Sequence, residues 1–376
     1  MSLDSSDRAG VGFLFLVGAL FFSLGWVVAP GRSFVPAGFL ALGLLAGALS
    51  IEPFLFAAIF LELAAMASVL ILIPPGSRNE RGVLNLLVLY SMAMMAILFT
   101  GWLLENVGVT SVTPELATRV ALLLGLGFVI LLFVPPFHYW LPSIADRVNS
   151  YSLAFVAVIL QSSGMFILLR FLDNFAWMRA EPSIPAAIQA AGILLIIFGS
   201  VVAVAQITFL KMAIYVLLAD IGVSLLAVGS EQSSESEIAI GLTSVRVISL
   251  GLWGLGAALM NSSGYSKGAA RAAPLATAAA LVGVLSLAGV PLTAGFPWRW
   301  QLMTRLSEPA ALLIVFSMLA ILWAVLRWTW KLFEPGPVNL DEPPRRVVLA
   351  IMAGSCLILG IFPQLAILWG AANLSP

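Results

Sequence analysis

Apolar runs of membrane-crossing length, separated by short polar breaks, fill almost the whole chain. A helix needs ~20 apolar residues to cross a bilayer. Runs at about 11–29, 34–50, 52–73, 84–104, 118–137, 150–171, 185–207, 209–229, 238–260, 274–296, 310–333 and 346–372 meet that requirement. The pattern predicts an all-α polytopic membrane protein with about 12 transmembrane helices. No soluble domain fits between the runs, because even the longest connections, such as 74–83 and 334–345, are short and polar.

Two of the runs are interrupted. FVPPFHYWLPSIADRV at 133–148 closes the fifth, with Pro135, Pro136 and Pro142, and SLAGVPLTAGFPWRW at 286–300 closes the tenth, with Pro291, Gly295 and Pro297. Five spans separate the interruptions, so a repeat with that offset has inverted topology. Paired Gly/Pro-interrupted spans at corresponding positions of inverted halves point to an ion or substrate path. They also fit ordinary proline kinks. The resulting expectation is one transmembrane domain over 1–376, with an N-terminal span (1–33), inverted five-helix repeats (34–171 and 185–333), each with a broken helix, and a C-terminal span (346–376).

Composition excludes more than it selects. The chain has 376 residues, 61% hydrophobic and 10% charged, with a mean hydropathy of +1.07, so the bilayer is its natural solvent. Zero formal net charge gives no basic field for nucleic acid. One cysteine, Cys356, and one histidine, His138, leave no disulfide framework, and no metal or other cofactor is expected. No P-loop, dinucleotide-binding turn or catalytic triad is visible. The start MSLDSSDRAG lacks a basic n-region, so the first run is expected to be retained rather than cleaved as a signal.

Charge placement orients the spans. Arg32, Arg78, Arg81, Arg147, Lys211, Lys267, Arg271, Lys331, Arg345 and Arg346 follow odd-numbered spans. The other side carries Arg8, Arg119, Arg179, Arg299, Arg305 and the acidic cluster at 231–237. The positive-inside rule then places both termini outside. Inside the spans, Glu62 and Asp220 lie in the third and eighth runs, the second span of each expected repeat. An ionised carboxylate there costs ~2.5–3.5 kcal/mol on insertion scales and faces protein or water. Each reads either as a proton carrier or as a structural carboxylate held by a neighbouring Ser or Arg. Arg246 is a candidate counter-charge, or a residue that snorkels to the surface.

These stretches resemble the antiporter-like membrane subunits of respiratory complex I and their relatives in Mrp-type cation/proton antiporters and membrane-bound hydrogenases. Pro136, Phe137, His138, Trp140, Leu141 and Pro142, then Leu168, Leu169 and Arg170, match one family motif. Lys211, Tyr215 and Gly222 match a second, and Ser286, Leu287, Gly289, Pro291, Gly295 and Phe296 a third. With Glu62, these motifs cover about 52–305 in the family's order. The resemblance implies two inverted five-span bundles and a membrane-arm role beside other such subunits. It also implies that two N-terminal spans are absent, since the family's glutamate stands two spans later.

The family's mid-membrane relay of titratable residues is altered. Its lysine positions hold Leu131 and Ser162, the latter beside Gln161 and Ser163; the later histidine position holds Asp220, and the terminal position Arg299. Leucine carries no proton, and arginine does not release one. Waters ordered by Gln161, Ser162 and Ser163 offer a detour. His138 reads as part of a half-channel or as a helix-end histidine bonded to a carbonyl, and Lys211 as a relay residue or a loop charge. The expectation is a membrane-arm subunit of a complex I-like ion-translocating oxidoreductase. It contributes either an altered proton path through Glu62, Asp220, Arg246 and Arg299 or a non-conducting scaffold. The alternative is a stand-alone secondary transporter of a cation or small solute. The expected location is the bacterial plasma membrane.

Overall fold

A computed structural model describes residues 5–52, 56–73, 81–105, 114–230, 235–262, 270, 273–332, 343–362 and 364. Arg78, Lys267, Arg271 and residues 231–234 of the acidic cluster lie outside the described residues, as does the last run beyond 364. Among those described, the secondary structure is helical: twelve helices have fifteen or more residues and three are shorter. The long ones are Ser5–Val28, Phe34–Ser50, Ala57–Leu72, Arg81–Glu105, Pro114–Leu131, Ser150–Asn174, Ser183–Ala205, Phe209–Val228, Glu235–Ser262, Pro274–Ala288, Glu308–Leu332 and Pro343–Ile361. Each corresponds to one apolar run. Seven are long and apolar enough to cross a membrane by themselves.

The apolar surface lies outside as well as inside. Leu84, Val88, Met92, Met95, Phe99 and Trp102 form an exposed stripe on one helix, and Leu312, Phe316, Leu319, Trp323, Leu326 and Trp330 form another. Both follow the three-to-four-residue spacing of a helix face. In a bilayer such stripes meet lipid, so they need no protein cover. The Ser150–Asn174 helix is the opposite case, with 94% of its apolar window buried.

The chain divides into two compact units. The first comprises Met1–Phe22, Gly31–Ile144 and Ile159–Ile184, and the second Ser23–Pro30, Ala145–Val158 and Pro185–Pro376. In the first, Arg170 donates through Nη1 to the Leu49 carbonyl at 2.7 Å, capping the C-terminus of Phe34–Ser50. In the second, Arg327 donates through Nη2 to the Gln206 carbonyl at 2.7 Å, just past Ser183–Ala205. Each arginine satisfies carbonyls that a helix end leaves without partners and complements its negative dipole end.

Two helices end earlier than their apolar runs. The fifth run was expected to reach 137, but its helix stops at Leu131; the tenth, expected to reach 296, stops at Ala288. Phe133 and Gly289 take the left-handed conformation, with φ of 61° and 70°. At the first end, Phe133 N–H donates to Ile130 O and Val134 N–H to Val129 O; at the second, Gly289 N–H donates to Ser286 O and Val290 N–H to Leu285 O. This is the same Schellman motif twice. A proline follows in the same register, Pro135 and Pro291, and a short helix starts in the same register at Trp140 and Phe296. The Pro135–Pro136 peptide is cis.

Candidate functional site

In the second unit the break builds a buried ionic cluster. Gly289 turns the chain out of the Pro274–Ala288 helix, and a Cβ there would land on Arg299 Cδ. Gly295 then lets the returning backbone lie against the Ser286 carbonyl, which a Cβ would strike. Pro297 occupies the first turn of Phe296–Met303, where its missing N–H leaves no bond unmade. Two residues later, Arg299 points back at the helix it came from. Its Nη1 donates to the Ala288 carbonyl at 2.5 Å and its Nη2 to that of Leu287.

The same Nη2 donates to Asp220 Oδ1 at 2.7 Å. From Glu235–Ser262, Arg246 Nε donates to Asp220 Oδ2 at 2.5 Å, and its Nη2 donates to Ser224 Oγ at 2.5 Å and to the Asp220 carbonyl at 3.2 Å. Asp220, Arg246 and Arg299 are only 4%, 1% and 1% exposed. One carboxylate thus faces two guanidiniums, with one positive charge in excess. The C-terminal carbonyls of the broken helix, carrying about half a negative charge, meet that excess. Both carboxylate oxygens are engaged by groups that do not release protons.

Just behind it, Ser249 Oγ donates to Ser286 Oγ at 2.8 Å, so the two long helices are also tied by hydroxyls. Lys211 is elsewhere: it stands in the first turn of Phe209–Val228 and pairs with Asp146 at 2.9 Å, with both side chains about a third exposed. Such a pair contributes ~0–1 kcal/mol.

The first unit has the same frame with a different filling. Glu62 accepts from Ser91 Oγ at 2.6 Å, with Ser91 on the next helix, as Arg246 is relative to Asp220. Where the second unit has Arg299, the register places Ser143, whose hydroxyl donates to the Trp140 carbonyl at 2.6 Å. Pro142 sits in the first turn of Trp140–Ile144, and His138 lies buried just before that helix, its carbonyl accepting from Leu141 N–H at 3.2 Å. Trp140 packs edge-on against Phe133, centroids 5.4 Å apart.

Leu131 and Leu132 pack against Gly164, beside the buried Gln161, Ser162 and Ser163. The Ser162 and Ser163 hydroxyls find no hydrogen-bond partner among the described residues. The structure therefore brings Asp220, Arg246 and Arg299 together. It leaves Lys211 at a surface pair, while Glu62 and His138 belong to the first unit. Ser91, Ser224 and the Leu287 and Ala288 carbonyls carry no sequence signal of their own.

The family model described as NADH:quinone oxidoreductase/Mrp antiporter, TM, matches residues 54–324, a stretch that holds every residue of both arrangements. Subunit N 2 of NADH-quinone oxidoreductase from Acidobacterium capsulatum is 26% identical over 294 residues, covering 71% of this chain and 59% of that protein. A chain of the Mrp complex from Dietzia sp. superimposes with a TM-score of 0.82 at 16% identity, covering 99% of this chain and 83% of the other. A chain of respiratory complex I from Thermus thermophilus does so with a TM-score of 0.76 at 25% identity, covering 97% and 83%. The chain spans about three fifths of the length of the curated relatives it matches. It is a multi-pass integral membrane protein, and it belongs to the NADH:quinone oxidoreductase/Mrp antiporter transmembrane family.

Proposed function

We propose that this chain is a membrane-arm, antiporter-like subunit of a complex I-like ion-translocating assembly, and that it serves there as a non-conducting scaffold. Its partners are neighbouring membrane-arm subunits and the lipid bilayer. Its location is the bacterial plasma membrane, with both termini on the outer side. Family membership and relatives named as subunits of NADH-quinone oxidoreductase support the assembly. Two inverted five-helix copies, 34–171 and 185–333, are supported by the repeated break, the repeated acid-and-partner pair and the repeated arginine cap.

The observation that carries the non-conducting reading is the clasp on Asp220. A relay needs a group that takes and gives a proton at each step. Asp220 is ion-paired through both oxygens, and its neighbours Arg246 and Arg299 keep theirs. In the first half the Ser162 and Ser163 hydroxyls can order water, but Leu131 closes the family's lysine position.

Extraction in mild detergent, native electrophoresis and mass spectrometry of the co-migrating chains test the assembly. Quinone-reductase or hydrogenase-like subunits are the expected companions, and a chain migrating alone puts the stand-alone transporter first. For conduction, Glu62→Gln is expected to leave ion translocation by the intact assembly unchanged. A loss of translocation without dissociation would restore Glu62 to a working relay.

A further inference from the structure

The C-terminal helix Pro343–Ile361 lies outside both proposed five-helix copies and beyond residue 324, where the family match ends. Within the second unit it packs against Glu235–Ser262 and Pro274–Ala288, the helices that carry Arg246 and the carbonyls bound by Arg299. Leu349, Met352 and Cys356 are buried along one face at three- and four-residue spacing, and Gly360 continues that face. Val347, Ile351, Ile358 and Ile361 are exposed on the opposite side.

The buried face meets both limbs of the break. The Ser286 hydroxyl and the Ala294 backbone stand within hydrogen-bonding reach of the Cys356 sulfur. One turn on, Gly360 lies against the returning chain, where a Cβ would fall 2.5 Å from the backbone of Leu292 and Thr293. Ser286 belongs to the helix that stops at Ala288, and residues 292–294 lead into Phe296–Met303. One helix face therefore pins the turn on its outgoing and its returning side.

The break needs such cover. The fifteen residues from Pro274 rise ~22 Å, short of the ~30 Å apolar core, so the turn stands inside that layer. Irregular backbone at that depth is tolerated only against protein or a water-filled cavity. Gly289, Val290, Thr293 and Phe296 N–H donate to carbonyls of 285–293. Ala294 turns its backbone to Cys356, whose thiol is a weak polar partner.

We propose that this helix is a strap: it holds the second break in the arrangement that closes the clasp on Asp220, and the break opens only when the helix lifts. The link is short. Ser286 is followed by Leu287 and Ala288, whose carbonyls accept from Arg299, and its own carbonyl lies against Gly295. Lifting Cys356 and Gly360 unpins both limbs together, and Arg299 then loses the carbonyls that offset its charge. The strap is independent of whether the chain conducts ions.

Hydrogen exchange of the full chain in detergent, read by mass spectrometry, tests this with Gly360→Val. Exchange across 289–299 is expected to rise about tenfold or more, while 133–141 at the first break keeps its rate. The control Gly354→Val, on the same helix at a position where a Cβ meets nothing within 4 Å, is expected to leave both unchanged. Unchanged exchange across 289–299 in Gly360→Val, an equal rise at both breaks, or an equal effect of Gly354→Val overturns the proposal.

If Gly360→Val does not fold, the unaltered chain decides. Cys356 is the single cysteine, so N-ethylmaleimide reports on the strap alone. Its alkylation is expected at the rate at which 289–296 exchanges, because both need the helix lifted. A thiol that reacts while those amides stay protected, or amides that exchange while the thiol stays unreacted, would sink the proposal.

Discussion

The two broken helices share a backbone and differ in what fills it. Both stop at a Schellman turn, run through a proline in the same register and resume as a short helix. Both short helices pack on the long helix that carries the acid's partner: Ser143 and Ile144 lie against Gly82, and Trp298 lies against Gly241. In the first, Phe133 bears the left-handed turn and the acid meets one hydroxyl; in the second, Gly289 bears it and the acid meets two guanidiniums. The break is therefore a frame rather than a function. What can be done at it depends on the side chain three residues into the short helix, Ser143 or Arg299.

The largest expected contrast comes from removing the acids. Asp220→Ala leaves two buried guanidiniums facing each other and is expected to cost about 3–5 kcal/mol. Thermal unfolding in detergent, followed by tryptophan fluorescence, reads this as a large drop in midpoint. Glu62→Gln keeps an acceptor for Ser91, and its cost is expected to be about 1 kcal/mol or less. Equal effects would dissolve the comparison.

The helix-capping arginines are expected to behave alike. Arg170→Gln and Arg327→Gln each remove a charged donor from a helix end and should cost about 1.5–3 kcal/mol by the same assay. A large difference between them would break the correspondence between the units. Next comes Gly289→Ala, which meets the left-handed penalty of about 1–2 kcal/mol and also pushes on Arg299. Its effect should shrink when combined with Arg299→Ala, because the clash is then gone. The smallest effect is expected at Lys211→Gln, within about 1 kcal/mol and fading with added salt, since both side chains of that pair are about a third exposed.

The sequence carried the twelve helices because each apolar run has bilayer length and polar punctuation. It misplaced the two helix ends for opposite reasons. Gly289 before a proline is a common C-terminal signal that the length of the tenth run overrode. Phe133 is a bulky residue in a conformation such residues rarely take, so nothing in its identity announces the turn. The proposal that Arg246 is a counter-charge for Asp220 agrees with the geometry, since a lone arginine in a span needs an anion. Arg299 was legible as a charge near the break, but not as a cap on Leu287 and Ala288, because carbonyls leave no trace in a sequence. Ser91 and Ser224 were hidden by their ordinariness. A serine in a membrane helix more often bonds the carbonyl one turn back, as Ser68 and Ser200 do.

The clasp also constrains how the protein is made. Its three members are separated by 26 residues between Asp220 and Arg246 and by 79 between Asp220 and Arg299. When the Phe209–Val228 segment leaves the ribosome, its carboxylate has no partner, and releasing it alone into lipid is unfavourable by ~2.5–3.5 kcal/mol. Arg246, on the next segment, meets the same penalty. Biogenesis of this half then favours delivery of neighbouring segments together, with the insertion machinery sheltering the early ones until Arg299 has emerged and the returning helix has folded over them.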